Sequence, residues 1–296
     1  MKEYAYETFA MGSEISVSFI CDCEDDAVAA KNSAFTTICE YEKSFSRFIS
    51  QSELSRLNIK KSLVVSDIFY EVYEKSIKLT TQTHHAFNPL LQISKFGYNQ
   101  SFSTLIETKT IKNKAQYNTD ITKIRSDKAT KEITLLADQC LDFGGILKGF
   151  LSQKIALSLE KKYPHFQGII INLGGDLHTR GYDEHNQKFV FSLYNPITQK
   201  EYFVPLYNQS LATSGTYKRK WNTSKGSYHH ILDISGTKNT QNTAISASII
   251  GTDGAVCEAY TKVLINLPLE ESVPLITEEK LLYYAVDSQG NVSKNI

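Results

Sequence analysis

Two Gly-Gly pairs constrain this chain more than any other feature, because each marks a change of periodicity. Gly174-Gly175 closes the apolar run GIIINL at 168–173, so a strand has to stop there and turn. Gly144-Gly145 stands just ahead of Leu147, Leu151, Ile155 and Leu159, an i, i+4 stripe that predicts a helix. With fifteen Gly and only six Pro in the chain, clustered glycines carry information. A sequence that needs both joints mixes α with β.

The remaining periodicities fill in that mixture. Ala30, Ala34, Ile38, Tyr41 and Phe45 recur at helical spacing, and Ser66 is a good N-cap for a helix running to about Thr80. Another helical stripe, Val256, Tyr260, Val263, Leu264 and Leu267, follows Gly254. Strands are predicted at 15–20, 132–137, 168–173, 188–194, 201–207, 246–250 and 281–286. Strands outnumber helices and the helices are interspersed rather than alternating, which favours α+β over a doubly wound parallel fold. The polar stretch 107–131 reads as a surface excursion too short to divide domains, so residues 1–296 are expected to form a single mixed domain.

Charge narrows the function classes. Lys+Arg and Asp+Glu number 32 each, so no long-range field exists to grip nucleic acid or an anionic membrane. Apolar residues at 41% exclude a disordered chain. Cys21, Cys23, Cys39, Cys140 and Cys257 are odd in number and fit no zinc spacing, so reduced thiols are expected. The acidic start lacks the apolar run of a signal peptide, and no stretch approaches the ~20 apolar residues of a membrane span. As given, the chain is expected to be cytoplasmic, though a removed leader would change that.

Four segments could carry chemistry. In Asp142-Phe143-Gly144-Gly145-Ile146-Leu147-Lys148-Gly149 the glycines admit a ligand to a helix start, with a carboxylate beside it and a cation one turn inside. That suits a phosphate ester with a metal, but on this segment alone an N-capping Asp, a turn and a surface Lys is the favoured reading, since glycine-rich turns before helices are common. Asn172-Leu173-Gly174-Gly175-Asp176 is either a backbone platform for a flat ligand or a tight turn. Ala212-Thr213-Ser214-Gly215, followed by His229-His230-Ile231-Leu232-Asp233, offers hydroxyls and a histidine suited to act as general base. No Gly-x-Ser-x-Gly elbow is present, and His84-His85 read as loop residues. Finally, Glu258, Thr261 and Lys262 share one helix face, as a metal or phosphate site or as an exposed ion pair.

In this order, the segments resemble the ApbE-like family of FAD:protein FMN transferases. The matching elements include Ala10-Met11-Gly12-Ser13, Ser46-Arg47-Phe48, Ser52 to Asn58, Ala86-Phe87-Asn88-Pro89 and Phe96-Gly97-Tyr98. They continue with the two Gly-Gly segments, Asn195-Pro196, the motif at 211–215 and that at 229–233. The resemblance implies an ApbE-like (T-fold-like) α+β architecture that binds FAD in a cleft, with Mg²⁺ bridging the pyrophosphate. It implies transfer of FMN to a Thr or Ser hydroxyl of an acceptor flavoprotein, with release of AMP; some members hydrolyse FAD instead. Carried over by motif, Met11, Phe48, Ala86, Phe87, Asn88, Asp142, Lys148 and His230 would line the FAD site. His230 would accept the hydroxyl proton with Asp142 as a second catalytic group, and the Gly145 carbonyl would bind the metal.

The chain departs from the family pattern at the metal helix. Where the family usually has Asp-Ala-x-x-Thr, this sequence reads Glu258-Ala259-Tyr260-Thr261-Lys262. Either Lys262 swings away while Glu258, Thr261 or Asp253 holds a shifted metal, or its ammonium meets the pyrophosphate itself. Asn88 and Thr216 also stand where Asp is common. An FAD-binding protein with impaired transfer, or an FAD pyrophosphatase, are the alternatives these departures raise.

Overall fold

Met11 and Gly12 both adopt left-handed φ, 52° and 68°, and so close a two-residue turn between β1 (Lys2–Ala10) and β2 (Ser13–Cys21). This computed structural model describes residues 1–97, 117–218, 220–223, 226–241 and 244–296. Tyr98 and the first part of the predicted excursion at 107–131 lie outside them. After β2 comes α1 (Glu24–Phe45), whose first turn, Glu24, Asp25 and Asp26, complements the helix dipole. Ser52 caps α2 (Glu53–Lys60), and Lys61 ends it at φ 66°. β3 (Ser62–Val64) leads to α3 (Asp67–Gln82), where Ser66 Oγ accepts the Phe69 N–H as its spacing predicted. β4 (Arg125–Asp127) and β5 (Glu132–Thr134) precede α4 (Leu147–Lys162).

The second half is richer in strands. β6 (Gly168–Leu173) turns at Gly174 and Gly175, φ 73° and 99°, into β7 (Asp176–Gly181). β8 (Phe189–Tyr194) and β9 (Glu201–Leu206) form a hairpin, β10 (Ser210–Gly215) pairs with β7, and β11 (Lys220–Thr223) pairs with β12 (Gly226–His229). The chain ends with β13 (Ala244–Gly251), α5 (Gly254–Asn266), α6 (Leu269–Glu278), β14 (Leu282–Asp287) and β15 (Val292–Lys294). Every strand pairing among the described residues is antiparallel, as the α+β expectation requires.

The chain divides into two compact units. The first holds Met1–Glu40, Ile146–Gly215 and Asn242–Ile296. Its sheet runs β1-β2-β6-β7-β10-β13-β14-β15, with α4 lying on β6 and β7 and α5 on β10 and β13. The two helices touch backbone to backbone: a Cβ on Gly149 would stand 2.1 Å from the Gly254 carbonyl oxygen. Asp253 caps α5, while the Gln153 amide on α4 takes the Gly254 N–H and donates to the Thr252 carbonyl. A smaller apolar core, Leu177, Leu193, Val204, Leu206, Ile250 and Val286, seats the β8–β9 hairpin.

The second unit holds Tyr41–Gly145 and Thr216–Gln241. Its three-stranded sheet has the order β3-β5-β4. Phe45 stacks on Phe69 at 5.0 Å between ring centres, and Phe143 meets both edge-on. Trp221 packs with Ile93, Phe96 and Leu232 and donates its indole N–H to the Phe96 carbonyl. All five cysteines are free thiols.

Candidate functional site

In the first unit, segments far apart in sequence meet at the ends of the central strands. The Met11-Gly12 turn places Ser13 against the Gly174-Gly175 turn so closely that a Cβ on Gly174 would lie 2.6 Å from the Ser13 Cβ. Beside this junction Lys148, from the first turn of α4, pairs with Asp176 at 3.1 Å. Asp176 opens β7 and also accepts the Thr213 N–H from β10. Lys148 is therefore no surface lysine: it is largely buried, against a carboxylate that is 4% exposed.

The face of α5 bearing Glu258 is buried too, which corrects the reading of Glu258 and Lys262 as an exposed pair. Glu258 Oε2 accepts the Gly149 N–H at 2.8 Å, a contact available only because α4 and α5 cross at two glycines. Lys262 Nζ donates to the Glu258 carbonyl at 2.9 Å and lies 3.7 Å from Oε1. Thr261 Oγ1 donates to that same carbonyl (2.7 Å), so Ser214 Oγ, also 2.7 Å away, must be its donor. Burial pushes the Glu258 carboxyl up to about 7, and the Asp176 charge adds to the rise. Lys262, Lys148 and the Gly149 N–H pull the other way. Burial likewise draws the Lys262 ammonium below its ordinary range, opposed by Glu258 and Asp176.

In the second unit, Asp142 is not a helix N-cap: α4 starts after Ile146 with no side-chain cap. Its carboxylate instead pairs with Arg47 and accepts the Gly144 N–H at 2.8 Å. The Arg47 guanidinium also stands over the half-exposed Phe48 ring, 4.9 Å from its centre. The Asp142 N–H donates to the Pro89 carbonyl, and Asn58 clamps the Leu141 backbone at both N–H and C=O. Ala86, Phe87 and Asn88 are buried, with Asn88 held by the Leu90 N–H and the Thr119 carbonyl. Arg47, Phe48, Asn88 and Asp142 are thus tied into one framework. Gly145 is half-buried at the end of that segment.

His230 is half-buried in the bend that follows β12. The Asn239 amide donates to the carbonyls of both His229 (2.6 Å) and Ile231 (3.0 Å), fixing the backbone on either side of it. His84 and His85 take left-handed φ in the turn after α3, as loop residues.

These placements can be set beside known proteins. The sequence profile of the ApbE family matches residues 11–285. This chain belongs to the ApbE family. An FAD:protein FMN transferase of Klebsiella pneumoniae (strain 342) is 23% identical over 288 residues, spanning 94% of this chain and 86% of that protein. The crystal structure of the ApbE protein of Thermotoga maritima has a TM-score of 0.85 at 18% identity, covering 99% of this chain and 97% of that one. Apo Pseudomonas stutzeri flavinyl transferase ApbE gives 0.79 at 18% identity, covering 99% and 95%. At such identities the likeness of the structures speaks for the ApbE fold.

The divalent cation implied by the ApbE resemblance does not fit the residues present around Glu258. Against the Lys148 and Lys262 ammonium groups, Asp176 and Glu258 leave no surplus negative charge, and Lys262 holds the ground a cation would need. Among the described residues, no group of three or more His, Cys, Asp or Glu could hold a metal ion.

Four participants escaped the sequence reading. Asp176 had a signal, since it follows the Gly-Gly turn directly; Ser13 and Arg47 sat inside quoted motifs without a role. Asn239 had none, being one polar residue in a polar loop.

Proposed function

We propose that this ApbE-family chain is a flavin transferase that moves FMN from FAD to a Thr or Ser hydroxyl of an acceptor flavoprotein and releases AMP. The family match over residues 11–285 carries this reading, and the relative named FAD:protein FMN transferase supports the substrate. The acceptor oxygen attacks the phosphorus of the FMN moiety, the bond to the AMP phosphate breaks, and the hydroxyl proton passes to His230. Lys148, held by Asp176, offsets phosphate charge. Phe48, Ala86, Phe87 and Asn88 are proposed FAD-binding residues on the framework that carries Asp142, and Met11 is one on the β1–β2 turn.

Incubation of the protein with FAD and a Thr-containing peptide tests this. AMP together with flavinylated peptide is expected. AMP with free FMN in the absence of peptide would make the chain an FAD pyrophosphatase, and bound but intact FAD would leave a binding protein.

A further inference from the structure

We propose that Lys262 stands in for a divalent cation: its ammonium, with that of Lys148, supplies the counter-charge for the pyrophosphate, and the chain handles FAD without a metal ion. The inference rests on the reading of FAD as substrate and concerns how that site neutralises its ligand. Three observations carry it. First, the oxygens of the helix face that could ligate an ion are engaged. Glu258 Oε2 takes the Gly149 N–H, Glu258 Oε1 faces Lys262, and the Thr261 hydroxyl is fixed between the Glu258 carbonyl and Ser214. Second, the cluster sets at most two carboxylate charges against two ammonium groups, so no surplus negative charge awaits a dication. An incoming pyrophosphate can be met by the two ammonium groups once they turn from their carboxylates.

Third, Lys262 is anchored yet not saturated. Of its three donors, the described contacts assign one to the Glu258 carbonyl at 2.9 Å, while the 3.7 Å separation from Oε1 is an ion-pair contact rather than a hydrogen bond. An ammonium is a compact point charge on a flexible stem, able to turn toward phosphate oxygens without leaving its carbonyl anchor. Glutamate suits this arrangement, since its carboxylate spans from α5 to the Gly149 N–H on α4.

The test is an FAD titration of the wild-type protein, followed by flavin fluorescence, in EDTA and in Mg²⁺, with Mn²⁺ binding measured separately by electron paramagnetic resonance. The inference predicts the same FAD affinity in both buffers, AMP release that persists in EDTA, and no tight Mn²⁺ site with or without FAD. Lys262→Thr should weaken FAD binding in EDTA by about tenfold or more, close to 1.4 kcal/mol, and should restore a response to Mg²⁺. FAD binding that collapses in EDTA would overturn this inference and leave the transferase reading standing. No FAD binding in either buffer would sink the transferase reading and this inference with it. The wild-type arms decide the matter even if the variant fails to fold.

Discussion

Asn239 shows how a residue with no chemistry of its own can matter. Its amide bridges the carbonyls on both sides of His230, so it holds the backbone that carries the proposed base. Asn239→Ala should lower transfer turnover by about tenfold or more, since a well-placed general base contributes roughly 10²–10⁴. FAD affinity should stay within about twofold, because phosphate charge is offset elsewhere. Steady-state kinetics beside an FAD titration would separate the two; equal losses in both would make Asn239 a structural residue. His178 makes a different prediction. It is buried on β7 with Nδ1 2.7 Å from Ser210 Oγ, and burial, aided by Arg180, lowers its pKa to about 4. Unfolded, the ring protonates near 6.5, so between pH 6.5 and 4 the unfolded chain holds more protons than the folded one. Stability from this group is therefore complete above pH 6.5 and lost as pH falls toward 4, about 3 kcal/mol in all. Glu258, raised to about 7, slopes the opposite way between 4.5 and 7, so the contrast with a variant isolates the histidine. Urea midpoints of His178→Asn should fall less on acidification than those of wild type. Parallel curves would contradict the assignment.

At the scale of elements, the legible parts were those whose signal is local. β6 at Gly168–Leu173, the α4 stripe and the Ser66 cap of α3 are written in adjacent residues. Elements whose burial comes from distant neighbours were not readable. β7 reads DLHTRG, with a histidine and a threonine that look like loop residues, yet it is buried because β6 and β10 flank it. β10, SLATSG, is small and polar for the same reason, and α6 carries Pro274 inside it, which a sequence reading treats as a stop. The buried face of Glu258 depends on two glycines more than a hundred residues apart in sequence meeting at the α4–α5 crossing. The Gly174-Gly175 turn allows a direct comparison. Both residues have positive φ, but a Cβ on Gly174 would strike Ser13 whereas one on Gly175 meets nothing within 4 Å. Gly175→Ala should cost the backbone term alone, about 1–2 kcal/mol, and Gly174→Ala about 1–3 kcal/mol more. Chemical unfolding of the two variants measures this, and equal losses would show that the Ser13 junction yields freely.

For the molecule as a whole, the balance of 32 basic and 32 acidic residues means that an anionic ligand is gripped by local arrangement. On the proposed reading that arrangement is Lys148 on Asp176 and Lys262 on Glu258. Among the described residues, no helix is long and apolar enough to cross a membrane. Order of motifs made the family readable, since weak segments gained weight from their sequence along the chain; the closed charge cluster was not readable, since side-chain direction decides it. The central claim is flavin transfer, and its most direct measurement is the product balance after the protein meets FAD and a Thr-containing peptide, in Mg²⁺ and in EDTA. The account predicts AMP and flavinylated peptide in equal amounts. Intact FAD and unlabelled peptide in both buffers would contradict it.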